Sequence, residues 1–306
     1  MSQYSRKTVA VRGGDLTVGC WGPDDAPTVL AVHGVTANHL TWPLVARQLP
    51  NVRMIAPDLR GRGRSNSLPG PWGMPQHADD LAAVLDAFDA SPVVVLGHSM
   101  GAFASLVLAN RYPDKVSSLV LVDGGLPLPT PSGLDGNAVT DEEATLAMLG
   151  PAAERLKMTF ESRTQYEDFW KAHPAFAGSW SQTIADYVNY DLEGEAPALH
   201  PSSSFDAVAA DSIELRGGES VLKALDELTH PTTFISAPRG LLNEVPPLYP
   251  QAQIDRWHSK LPRLDVLGAA DVNHYTIVMS EGGARAVASV VDAAVRVTQH
   301  NEVESR

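Results

Sequence analysis

Four short stretches of the chain, 28–32, 52–56, 93–96 and 116–122, are nearly continuously apolar instead of alternating apolar with polar. A strand with one wet face alternates; a strand covered on both faces does not, and that burial is typical of parallel sheets flanked by helices. Ahead of the third stretch Leu81, Leu85 and Phe88 recur at helical spacing, with Asp79, Asp80 and Asp86 on other faces. Strands alternating with helices in this way predict a doubly wound α/β sheet, whose ligands sit at the carboxyl ends of the strands. The chain opens differently: 9–12 and 16–21 alternate and are split by Gly13-Gly14-Asp15, the mark of an antiparallel hairpin.

Regularity breaks after Asp123 into Gly124-Gly125-Leu126-Pro127-Leu128-Pro129-Thr130-Pro131, a linker rather than a helix or strand. Thr140 and Glu143 then fit a capping box ahead of a helix through Leu149, and 152–160 and 166–172 also suit helices. Apolar strands resume at 232–236 and 264–267, before a final helix around 284–297. The expected organisation is a core of residues 1–126 and 226–306 with a helical cap, 127–225, inserted between them.

Of the 306 residues, 44% are hydrophobic and 19% charged, and no apolar run nears the roughly 18–20 residues of a membrane span. The formal charge is −13, and Lys and Arg gather in no stripe that would neutralise a phosphate backbone. Neither nucleic acid nor a membrane is the expected partner. Cys20 is the single cysteine, which excludes an internal disulfide and a cysteine-based zinc site. The polar start, Met1 to Lys7, lacks an apolar secretory core, so the expected location is cytoplasmic.

Gly97-His98-Ser99-Met100-Gly101 follows the apolar run 93–96 directly and precedes a helical stretch, 102–110. A strand-to-helix turn of this kind exposes its central serine at the sheet's carboxyl edge, where the helix N-terminus favours developing negative charge. Such a string is also compatible with a plain tight turn; the strand before it and the helix after it favour a nucleophile. Run 28–32 ends in His33-Gly34-Val35, from which a loop N–H, that of Val35, would join that of Met100 in an oxyanion hole.

With Asp58-Leu59-Arg60-Gly61-Arg62-Gly63-Arg64-Ser65 between these motifs, the chain resembles the α/β-hydrolase superfamily across roughly 8–125 and 230–297. The resemblance implies a serine-nucleophile member with a cap and no cofactor or metal. It also implies a triad in the order nucleophile, acid, histidine. His274, in Asp271-Val272-Asn273-His274-Tyr275 after the last strand, fits the base; His258, His98 and His33 read as structural, His98 beneath the site. The arginines of 58–65 read as anchors of neighbouring backbone.

The acid has two candidates. The usual position, after strand 232–236, reads Ala237-Pro238-Arg239-Gly240-Leu241-Leu242-Asn243-Glu244 and holds no aspartate. Asp123 ends strand 116–122, a position from which some superfamily members supply their acid, and is preferred over Glu244. Trp42, behind the oxyanion loop, is the candidate substrate contact. Met148, Met158, Phe160, Phe169, Trp170, Phe176 and Trp180 form either a pocket lining or the packing of the cap.

These residues point to hydrolysis of a carboxylic ester, a lactone or a related small apolar acyl compound through an acyl-enzyme. Two alternatives stand beside it: a carbon–carbon bond hydrolase of the meta-cleavage type, and a ligand-binding member of the fold without catalysis. Ser99 argues against dehalogenases and epoxide hydrolases of this fold, which use an aspartate there.

Overall fold

The computed structural model describes residues 4–129 and 150–304, the latter including a C-terminal helix to Glu304. The capping-box helix expected around Thr140 and Glu143, and Met148, lie outside the described residues. Eight strands form one sheet: β1 (Ser5–Val11), β2 (Gly14–Trp21), β3 (Thr28–Val32), β4 (Arg53–Pro57), β5 (Val93–His98), β6 (Val116–Val122), β7 (Thr232–Ser236) and β8 (Leu264–Gly268). Their spatial order is β1-β2-β4-β3-β5-β6-β7-β8. The hairpin β1–β2 is antiparallel with Val11 opposite Gly14, β2 runs antiparallel to β4, and every other pair is parallel.

Strand order reverses between β3 and β5, so their carboxyl ends diverge and open a crevice at that edge. Both faces of the sheet are covered. One carries α1 (Pro43–Gln48) and the long C-terminal helix Glu281–Glu304; the other carries α2 (Met74–Ala87) and α3 (Met100–Arg111). That is why β5 is buried at all six positions and reads as apolar without alternation. β8, at the free edge, is largely exposed, in keeping with its weaker apolar signature.

Between β6 and β7 the chain forms helices over the carboxyl edge, among them α4 (Pro151–Arg155), α5 (Arg163–Lys171), α6 (Gln182–Tyr190) and α7 (Phe205–Glu214). The stretch 152–160 is not one helix. It turns out of α4 and ends in a bridge from Phe160 to Leu199, and Leu192–Glu193 pairs with His200–Pro201 in a small ribbon. Ser162, Ser181 and Ser204 each cap a helix by accepting a backbone N–H bond. The next helix, α8 (Glu219–Asp226), packs on α3 and α2, so the layer beside the sheet is rejoined by Glu219.

Candidate active site

Ser99 stands between β5 and α3 with φ 54° and ψ −127°, a backbone conformation that costs an L-residue on the order of 1–3 kcal/mol. Its N–H donates to the Val122 carbonyl at 3.0 Å and its carbonyl accepts from Ala102 at 3.0 Å. The flanking glycines allow this. A Cβ at Gly97 would lie 2.5 Å from Ala102 Cα, and one at Gly101 would lie 2.1 Å from the Val32 carbonyl oxygen. Met100 opens the helix, so its N–H belongs to a first turn that lacks intrahelical acceptors.

The loop His33-Gly34-Val35 leaves β3 beside the elbow, and Gly34 and Val35 line the same cavity as Ser99. Leu59 N–H donates to His33 Nε2 at 2.9 Å, which places the ring proton on Nδ1, donating to the Gly34 carbonyl at 2.8 Å. Burial holds this imidazole down to about 4, in keeping with the neutral tautomer. Arg62 Nε donates to the Val35 carbonyl at 2.8 Å, and the guanidinium pairs with Asp211, which also accepts from His77. The loop peptides on either side of Val35 are thus held, at the Gly34 carbonyl by His33 and at the Val35 carbonyl by Arg62.

Asp58 anchors the same region. Its carboxylate accepts from His39 N and Nδ1, both at 2.8 Å, from Arg64 N at 2.9 Å and from the Tyr190 hydroxyl at 2.7 Å. Burial would raise this acid, but His39, by charge and by hydrogen bond, outweighs it and brings the carboxyl to about 2. Arg60 forms a two-pronged pair with Asp80, both bonds at 2.8 Å. The three motif arginines therefore hold backbone and carboxylates.

His274 Nδ1 donates to Asp123 Oδ2 at 2.7 Å, with Asp123 fully buried and His274 nearly so. Asp123 Oδ1 accepts from Ala237 N at 3.0 Å, so β7, which lacks its own acid, steadies that of β6. Glu244 is exposed, and its Oε2 accepts from Leu242 N at 2.6 Å within its own loop. Of the two candidate acids, Asp123 is the one bonded to the histidine.

The His98 ring lies 4.8 Å from that of His274, and its Nε2 donates to the His274 carbonyl at 2.8 Å. Burial and the neighbouring His274 push its pKa well below the usual histidine range. It was expected beneath the site; it also lines the cavity.

Trp42 does not take the place expected of it. Its side chain has no exposed surface, packs in the core with Leu44 and Val45, and is absent from the cavity wall, where the neighbouring Thr41 appears instead. Trp42 precedes α1 directly, and its side chain joins the core cluster of that helix's buried Leu44, Val45 and Ala46. Phe160, Phe169, Trp170, Phe176 and Trp180 pack against one another or the adjoining core and none lines the cavity. The exposed His258 lies on helix Gln251–His258, away from the cavity wall.

The cavity that joins Ser99 and His274 is lined mostly by apolar residues, including Leu128, Leu215, Leu241 and Met279, with Thr36, Thr41, His98, Tyr187 and Tyr275 as its other polar side chains. Neither tyrosine was singled out from the sequence. Tyr275 adjoins His274 and so carried a positional signal; Tyr187, on α6, carried none. Among the described residues that line it there is no lysine or arginine.

A family model described as alpha/beta hydrolase fold matches residues 27–193. Lipase LipV of Mycobacterium tuberculosis is 40% identical over 145 residues, 46% of this chain and 53% of the lipase, so this chain matches about half of that relative's length. A 2-(acetamidomethylene)succinate hydrolase of Mesorhizobium japonicum is 26% identical over 92% of this chain and 93% of its own. Among solved structures, an E-2-(acetamidomethylene)succinate hydrolase superposes with a TM-score of 0.77 at 22% identity, covering 95% of this chain and all of that one. A thioesterase domain from the curacin biosynthetic pathway superposes with a TM-score of 0.73, also at 22% identity, covering 94% of this chain and 99% of its own.

Proposed function

Because the chain belongs to the alpha/beta hydrolase fold family, we propose that it is a serine hydrolase that cleaves a carboxylic ester, lactone or related small acyl compound. The observation that carries this reading is the bonded pair Asp123–His274 on the wall of the cavity that also holds the strained Ser99. Lipase and esterase names among the relatives support the reaction class, and the match of a 2-(acetamidomethylene)succinate hydrolase over nearly the whole chain supports a small substrate.

In this mechanism Ser99 Oγ attacks the acyl carbon as its proton passes to His274 Nε2. Asp123 holds the imidazole in the required tautomer and stabilises the imidazolium. The Val35 and Met100 N–H groups bind the oxyanion, and the imidazolium returns its proton to the leaving oxygen. Water, deprotonated by the same imidazole, then releases the acid. The helices α4 to α7, between Pro151 and Glu214, act as a cap that shields the acyl-enzyme from bulk water.

A fluorophosphonate probe tests this reading by intact mass and peptide mapping. A single adduct on Ser99, lost in Ser99→Ala, is expected. An unlabelled protein, or an adduct elsewhere, would refute it.

A further inference from the structure

Arg62 has no exposed surface and touches both residues that supply the oxyanion donors in the proposed mechanism. Nε donates to the Val35 carbonyl at 2.8 Å, and Nη2 lies 3.8 Å from the Met100 sulfur. Nη1 donates to the Arg60 carbonyl at 2.9 Å and reaches Asp211 Oδ2 at 2.5 Å. A guanidinium is a planar fork, so it orients its partners as well as binding them. With the Gly34 carbonyl held by His33 and the Val35 carbonyl held by Arg62, Val35 is fixed on both sides of its amide.

Asp211 comes from another layer of the fold. It lies on α7, among the helices over the carboxyl edge, and is fully buried. Three donors of the core converge on it: Arg62, His77 Nε2 at 2.9 Å and the Gly73 N–H at 2.6 Å. Burial would raise this acid, but His77 and Arg62 outweigh it and bring the carboxyl to about 2. The helix sits tightly on the loop that carries Arg62. Ser204 N donates to the Gly61 carbonyl at 2.8 Å, and a Cβ at Gly61 would lie 2.5 Å from Ala207 Cβ. Leu215, directly after α7, lines the catalytic cavity. One stretch of chain therefore carries both a piece of the cavity wall and the counter-ion of Arg62.

We propose that Arg62 is a positioning residue for the oxyanion hole and that Asp211 on α7 sets its place, so that docking of this helix on the core and alignment of the Val35 amide are coupled. Neither side chain lines the cavity, so both act through the backbone. Charge and position have opposite signatures here. Loss of Asp211 leaves the guanidinium positive and without its counter-ion, so an effect of charge alone would keep or strengthen oxyanion binding, whereas a lost position weakens it. This deepens the serine-hydrolase reading and rests on it for the oxyanion hole.

The test pairs turnover of 4-nitrophenyl butyrate with binding of propyl trifluoromethyl ketone. Ser99 Oγ adds to the ketone's carbonyl carbon as its proton passes to His274, which leaves an oxyanion in the hole. Arg62→Lys keeps the charge without the fork, Asp211→Asn removes the counter-ion, and Ala207→Leu wedges α7 away from Gly61 without touching either charge. Each variant should lower kcat and ketone affinity together by about tenfold or more, with KM changed by less than about threefold. Circular dichroism establishes that each is folded, and Ala207→Leu and Arg62→Lys answer the question if the charge left unpaired in Asp211→Asn prevents folding. Parental kcat and ketone affinity in folded Arg62→Lys, or a rise in KM alone in folded Ala207→Leu, overturns the coupling. A parent that binds no ketone and takes no fluorophosphonate label overturns the serine mechanism and the coupling with it; a labelled, ketone-binding parent beside unaffected variants overturns the coupling alone.

Discussion

His274 and Asp123 stand 151 residues apart in the chain and 2.7 Å apart in the fold. The bond fixes the imidazole with its proton on Nδ1, which leaves Nε2 as the acceptor. Asp123→Asn replaces that acceptor oxygen with an amide able to present a donor to Nδ1 and so favour the wrong tautomer. Turnover of the best ester should fall by roughly 10²–10⁴-fold. Glu244→Gln, on an exposed loop, should cost less than about threefold. Steady-state rates for both, with circular dichroism to exclude unfolding, decide the matter; a disabled Glu244 variant beside a near-normal Asp123 variant would reverse the assignment.

Ser99→Ala should lower turnover by several orders of magnitude, because only binding and the oxyanion donors would remain. It should leave the fold intact, since alanine keeps the Cβ and demands nothing new of the turn's backbone. Near-parental turnover in this variant is the outcome that would sink the central proposal.

Gly124 follows Asp123, and a Cβ there would sit 2.1 Å from the Ser99 carbonyl oxygen. Backbone cannot yield to that cheaply, so Gly124→Ala should displace the elbow. The expected result is a fall in kcat of more than about tenfold together with a lower melting temperature. Parental kcat and melting temperature would show that the two loops are not in the tight contact described.

Stability should fall in mild acid. The His33 pKa is lowered from 6.5 to about 4, so below 6.5 the unfolded chain binds a proton that the folded chain refuses, and the loss grows until about pH 4. The full effect is on the order of 3 kcal/mol, and His98, shifted in the same direction, adds to it. Asp58 acts lower: its contribution is complete above 3.8 and is lost as pH falls through about 2. Denaturant midpoints between pH 7 and 4.5 should decline in the parent and decline less steeply in His33→Gln; parallel slopes would remove His33 as the source.

Much of the framework was legible because it is local. Apolar runs without alternation report burial on both faces of a strand, and β3, β5 and β6 lie within a residue or two of the runs that predicted them. The elbow was legible for the same reason: strand, glycine, serine, glycine and helix occupy adjacent positions, and the steric demand that needs the glycines arises there. The stretch 152–160 read less well, since its helical periodicity competes with a tertiary bridge to Leu199 that no local window contains.

What the sequence determined by itself was the set of parts: strands buried on both faces, a serine on a strained turn, and a histidine after the last strand. Tertiary structure decided how they meet. The choice between Asp123 and Glu244 depended on which carboxylate reaches His274, a distance set by the parallel register of β6 and β7 rather than by any spacing along the chain. Trp42 turned into the core and Tyr187 into the cavity because the facing of a side chain in a short turn or an inserted helix is set by what packs against it, and those partners come from distant sequence.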